Sequence, residues 1–263
     1  MKHASSTRRR LRILSLAVAF ALSTGSAMAA ETTNPDADNI LRAMSRFLTS
    51  TKAFSVSADI SNEIITVEGQ KLQMNSSATA VLERPSHVYV ARQGKFADTE
   101  IFFDGKSLTL YGKTNNTYVQ KDVPGTTDDA LNALEKGVGI NLPGGDLLIA
   151  NPYATLISGV TSSGYYGTET VAGVECHHLA FRTAKVDWQI WVKTGDEPLP
   201  MKYVITTKWT TGAPQYSVQF ANWNTKPTIA ASRFTFVIPK GAQKLAGFTV
   251  DETGEIIVPQ EKK

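Results

Sequence analysis

A chain of 263 residues with 42% hydrophobic residues is long enough to bury a core of its own, and its single cysteine excludes an internal disulfide. The formal charge of +3 comes from the first 29 residues, which hold five of the 27 basic residues and none of the 24 acidic ones, so the remainder carries 22 against 24. A net charge of about −2 without a clustered Lys/Arg stripe gives no electrostatic case for nucleic acid.

The first segment reads as an export signal. Lys2, Arg8, Arg9, Arg10 and Arg12 form a basic start, and Ile13 to Leu22 is an apolar core too short to span a bilayer. Ala27-Met28-Ala29 fits the small-x-small cleavage rule, so cleavage is expected after Ala29. No cysteine follows the apolar core, which excludes a lipid-anchored mature terminus of the lipobox type. A periplasmic protein comprising residues 30–263 as a single domain is the expectation.

Asn34-Pro35-Asp36 is a helix start: a capping side chain, proline at the first position and acids in the first turn. Ile40, Leu41, Met44, Phe47 and Leu48 then share one face at helical spacing. Alternation takes over from Phe54 to Ile65 and continues through 70–82, 87–92, 100–103, 108–111 and 117–121, with Asp104-Gly105 and Asn115-Asn116 as turn signals. Successive antiparallel strands are predicted.

Residues 124–159 interrupt this pattern. Ala130, Leu131, Leu134 and Val138 give a short apolar helical stripe, and Asp146 to Ala150 and Tyr153 to Ile157 read as two further helical pieces around Pro152. With Leu142, Leu147, Leu148, Ile149, Leu156 and Ile157, the insertion is more apolar than a solvated connector requires. It is expected to cap an open sheet face. Strands resume at 164–169 and 174–181, around an Ala172-Gly173 turn. In the next strand Val186, Trp188, Ile190 and Val192 share one face, and Trp191 stands on the otherwise polar one. Gly195, Pro198 and Pro200 force a turn, and strands follow at 201–209, 216–223 and 234–238, with a further edge strand at 256–258. The fold class is therefore mainly β (α+β), an antiparallel sheet with an N-terminal helix and a mid-chain helical lid.

No motif announces a reaction. Cys176-His177-His178 offers ligand types suited to zinc or copper, but adjacent strand residues point to opposite faces, so His177 is separated from the other two. Cys176 lies mid-strand rather than at a helix start, and Val174 and Leu179 beside it predict burial. There is no G-x-S-x-G, Walker A, G-x-G-x-x-G after a strand, or H-E-x-x-H. The expectation is a protein without catalytic residues, metal or cofactor.

The runs YYGTETVAGVECHHLAF, DWQIWVKTGDEPLPMKYVITT and PQYSVQF, containing G-x-x-C-x-x-L-x-F and W-x-x-x-G-x-x-P-L-P, resemble an uncharacterised family of predicted periplasmic proteins. That family is similar in turn to the LolA/LolB-like lipoprotein-carrier superfamily. The resemblance covers most of the chain from Asp36 to Phe234. It implies a strongly curved antiparallel sheet, a half-open barrel, lidded by helices over an apolar cavity that takes a lipid or acyl chain. Candidate wall residues are Trp188, Ile190, Val192, Tyr203, Ile205, Val218 and Phe220, and candidate lid residues are Leu131, Leu134, Leu147, Leu148 and Ile149; Trp191 and Trp209 stand as wall or rim. Two other readings stay open: an envelope interaction or signalling module using the same fold with a filled core, and, weakest, an enzyme acting on envelope lipid or glycan. The expected partners are a hydrophobic ligand or lipid and envelope proteins, with the protein itself a monomer.

Overall fold

A computed structural model describes residues 33–95, 98–138, 144–247, 249–250 and 256–257. The expected export signal and its cleavage point, Leu142 and Val258 lie outside the described residues. Helix α1 runs from Pro35 to Ser50 and starts as its sequence dictates: the Asn34 side chain accepts from the Ala37 N–H at 2.9 Å, and Asp36 and Asp38 occupy the first turn. Ala37, Leu41, Met44 and Leu48 form its buried face, and Ile40 and Phe47 flank it half-buried.

Six strands follow: β1 (Ala53–Ile65), β2 (Lys71–Glu83), β3 (His87–Gly94), β4 (Thr99–Phe103), β5 (Ser107–Gly112) and β6 (Thr117–Asp122). Then come α2 (Thr127–Val138), a 3-10 turn at Gly145–Leu147 and α3 (Pro152–Leu156). The chain returns through β7 (Val160–Val171), β8 (Val174–Thr183), β9 (Val186–Lys193), β10 (Pro200–Thr207) and β11 (Gln215–Asn224). A second 3-10 turn spans Ala231–Phe234, followed by the two-residue strands β12 (Gln243–Lys244), β13 (Thr249–Val250) and β14 (Ile256–Ile257). The predicted edge pairing at 256–257 is made with β13 rather than with the main sheet.

The main sheet has the order β12-β6-β5-β4-β3-β2-β1-β11-β10-β9-β8-β7. Every pair is antiparallel except β12 with β6, and the sheet does not close on itself, since β12 and β7 remain its two edges. The return strands join the first set through β1 and β11, where Ile60 faces Val218 and Ala58 faces Phe220. The sheet is the curved, unclosed half-barrel that the family resemblance implies. Its inner face and the three helices share one large apolar cluster.

The outer face carries two smaller clusters. Cys176, Trp191, Met201, Val204 and Val171 form one, which accounts for the misplaced Trp191: it is a core residue of the second face. Val81, Tyr89 and Phe234 form the other. Residues 234–238, expected as a strand, are not one; after β11 the chain crosses the outer face as a strap. The Thr235 N–H turns back to the Ser232 carbonyl at 3.3 Å, while Phe236 lies 5.4, 5.5 and 5.1 Å from the rings of Phe102, Tyr111 and Tyr118. The alternating phenylalanines contact side chains of the outer face, Phe234 on β2 and β3 and Phe236 on β4, β5 and β6, instead of pairing with a neighbouring backbone.

Candidate functional site

Strand register brings the seven predicted wall residues onto one face. Leu179, Ile190, Tyr203, Val218 and Ile60 are successive partners across β8, β9, β10, β11 and β1. One step along lies a second row, Phe181, Trp188, Ile205 and Tyr216. The Phe181 and Trp188 rings stack at 4.0 Å, and Tyr203 meets Trp188 edge-on at 5.8 Å. Trp188, Ile190, Val192, Tyr203, Val218 and Phe220 are buried, and Ile205 is half-buried. Trp191 is buried on the outer face, and Trp209 is exposed beyond the end of β10, so neither belongs to this wall.

Of the lid residues, Leu134 and Leu147 are buried in the same cluster, and Leu131 and Leu148 pack against it half-buried. Ile149 is half-exposed and is not packed into it. Leu156 of α3, read from the sequence only as part of the insertion, is buried with them.

What fastens the lid is polar. Arg84, just past the end of β2, donates from Nη1 to the Leu148 carbonyl at 3.1 Å and from Nη2 to the Leu48 carbonyl at 3.4 Å. One guanidinium thus ties the lid and the last turn of α1 to the sheet. Its Nε is buried without a partner, and burial pushes its pKa down from the ordinary value, partly offset by the charge of Asp128. Asp128 itself accepts from the Ala150 N–H at 2.8 Å, joining α2 to the same loop. On α1, Ser45 Oγ accepts from the Tyr153 N–H at 3.0 Å, and Asp38 accepts from the Tyr153 hydroxyl. The Arg42 guanidinium lies 3.8 Å from the centre of the Tyr153 ring.

One carboxyl enters the apolar layer. Asp146, in the 3-10 turn of the lid, approaches the Tyr203 hydroxyl at a long 3.5 Å. Burial raises its pKa above the ordinary carboxylate value. Burial likewise raises the phenols of Tyr203 and Tyr216, the latter to about 12.

The Cys-His-His run separates as its strand position requires. Cys176 is fully buried on the outer face, and burial pushes its thiol pKa up. Two residues along β8, His178 stacks on Trp191 at 4.2 Å, with Nδ1 3.0 Å from Glu169 and Nε2 2.9 Å from Gln189. His177 turns the other way and meets the Tyr165 hydroxyl at 3.1 Å. Among the described residues no three His, Cys, Asp or Glu side chains converge as a metal site.

Sequence reasoning missed Arg84 and its partners. Glu83-Arg84-Pro85 reads only as a strand end, and two backbone carbonyls leave no mark in a sequence that would identify them as acceptors. Asp128 read as an acid at a helix start; its bond to residue 150 depends on how the loop returns.

The family model for "Predicted periplasmic protein (DUF2092)" matches residues 37–246. The chain belongs to this family. The match takes in α1, the lid and the main sheet through β12. No curated protein matches the sequence. Among solved structures, an uncharacterized conserved protein from Thermus thermophilus is similar at 11% identity and a TM-score of 0.47, over 80% of this chain and 98% of that one. Lipoprotein LppX of Mycobacterium tuberculosis is similar at 11% identity and a TM-score of 0.42, over 75% and 100%. A LolA superfamily protein from Nitrosomonas europaea is similar at 10% identity and a TM-score of 0.38, over 76% and 97%.

Proposed function

We propose that this DUF2092 protein is a periplasmic, non-enzymatic binding or carrier protein that holds a lipid, acyl chain or other hydrophobic ligand between the inner sheet face and the helical lid. The mature protein in this reading is a monomer of one domain, residues 30–263, and needs no cofactor. The observation that carries the reading is the Arg84 clasp. A desolvated guanidinium bonded to carbonyls of α1 and the lid fastens helices over an apolar face through contacts that can break without unfolding the sheet. Each methylene of an acyl chain laid on that face adds about 0.8 kcal/mol, so affinity requires no covalent chemistry.

The competing reading is an envelope interaction or signalling module whose inner face is simply core. The burial of six of the seven wall residues favours it. One experiment separates the two. Protein purified from the periplasm without detergent is extracted with organic solvent and analysed by mass spectrometry beside a mock purification, and a fluorescent fatty acid is titrated onto the extracted protein. A stoichiometric lipid or saturable acyl binding is expected, and Leu148→Asp should weaken binding more than it lowers the unfolding midpoint. No enriched lipid and no probe binding would overturn the carrier reading and direct attention to protein partners.

A further inference from the structure

A cleft of about 740 Å³ lies on the outer face, on the other side of the sheet from the face proposed to bind an acyl chain. Its floor is β1 to β4, and its roof is the strap from Pro227 to Arg233. Strand register explains both halves of the floor. Ser55, Val81, Tyr89 and Phe102 are successive partners across β1, β2, β3 and β4. The small hydroxyl residues Ser55 and Thr79 leave one side low, and Tyr89 and Phe102, with rings 5.1 Å apart, stand up as the other wall.

The strap bridges this floor without filling it. A bulge in β11 displaces the register between Ser55 and Ser57, with Asn222 at a φ of 53°, just before the strap begins. At its far end Phe234 is buried against Val81 and Tyr89, with His87 5.1 Å from its ring. Of the span between, Ile229 packs onto the floor cluster, while Thr228, Ala230, Ala231 and Ser232 are exposed. A strap pinned at both ends over short side chains leaves room within the usual range for a small-molecule site.

Charge chooses the class of ligand. Glu100 in the cleft is already answered: it accepts from the Tyr89 hydroxyl at 2.8 Å and pairs with Lys113 at 3.0 Å. Arg233, at the rim, has its guanidinium 5.0 Å from the centre of the Tyr89 ring and also bonds to the Tyr89 side chain, and among the described residues no carboxylate pairs with it. An aromatic floor beside a cation that no carboxylate neutralises suits a flat apolar body with one anionic group. We infer that the cleft beneath the strap is a second binding site, for a small aromatic or otherwise planar amphiphilic anion. It is independent of the acyl face.

The test uses protein purified from the periplasm and two probes of similar shape, anionic anilinonaphthalenesulfonate and neutral N-phenylnaphthylamine, followed by fluorescence titration. Saturable binding of the anion is expected. Arg233→Gln should weaken the anion about tenfold to hundredfold, the range for losing a charge-assisted contact, and leave the neutral probe unchanged. Thr79→Trp, filling the low side of the floor, should abolish the Arg233-dependent binding; should that variant fail to fold, Ser55→Phe fills the same space from β1. Absence of anion binding, or anion binding that neither Arg233→Gln nor a floor-filling variant alters, overturns the proposal. Acyl-probe binding reads the inner face separately, so either site can fail while the other stands.

Discussion

Replacing Arg84 by leucine should loosen the lid while leaving the sheet intact. Two hydrogen bonds from a cation are lost, at 3.1 and 3.4 Å. Bonds to charged groups contribute about 1.5–3 kcal/mol each, and the longer contact falls at or below the bottom of that range. Against a gross loss of about 3 kcal/mol stands relief from burying a guanidinium whose Nε has no partner. A net weakening of lid closure by about 1–2 kcal/mol follows, or roughly a 5- to 30-fold rise in the open population. Hydrogen exchange followed by mass spectrometry measures this locally. Peptides covering residues 144–157 should exchange faster by that factor, because the amides of Ala150 and Tyr153 are held by Asp128 and Ser45 within the same closure. Peptides from β9 to β11 should keep their rates. Unchanged exchange in the lid would show that the clasp does not control it, and equal acceleration across the sheet would make Arg84 an ordinary structural residue.

Three further outcomes test the surrounding reasoning. Because burial raises the Asp146 pKa in the folded protein, the native state binds more protons than the unfolded one between the ordinary aspartate value and that raised value. Stability contributed by this group therefore falls as pH rises through that window, and Asp146→Asn should remove this part of the pH dependence in denaturant melts taken from pH 4 to 7. Phe234→Ala should cost about 3–5 kcal/mol, since the ring is 1% exposed, and lower the calorimetric midpoint by roughly 6–20 °C. Cys176, fully buried with its thiol pKa raised, should resist iodoacetamide at pH 8 in native protein and react in urea; rapid native labelling would contradict its place in the outer cluster.

The sheet was legible because period-two alternation survives almost unbroken in its long strands. The sequence placed Trp188, Ile190 and Val192 on one face from spacing alone, and register then aligned Ile190 with Tyr203 and Tyr203 with Val218. Helix α1 was legible from its cap, proline and apolar stripe. What misled was the same signal at the C-terminus: Phe234, Phe236 and Ile238 alternate as a strand would, yet Ile238 is exposed and the two phenylalanines face aromatic side chains on the outer face. Alternation reports that one side is covered, whether by a paired sheet or by a strap laid across it. The lid was legible as apolar helices but its fastening was not, because Arg84 bonds backbone carbonyls that carry no sequence identity.

The burial of the inner face constrains how a carrier of this build would load. Leu134, Leu147 and Leu156 are each buried in the cluster that also holds the wall residues, and uncovering the three costs about 5–9 kcal/mol. An acyl chain of about sixteen methylenes offers about 13 kcal/mol from burial. Association and ordering consume about 4–15 kcal/mol of that. An exchange that expelled the lid into solvent would thus leave little or no affinity. The balance becomes favourable only when the lid settles back over the chain, so that its leucines trade burial in the apolar cluster for burial against the ligand. Polar fastenings suit such a motion. The bonds of Arg84, Asp128 and Ser45 reach main-chain groups of the lid, which rewet easily when the helices lift and re-form when they return, whereas a lid held only by interlocking leucines would have to lose its whole attachment at once.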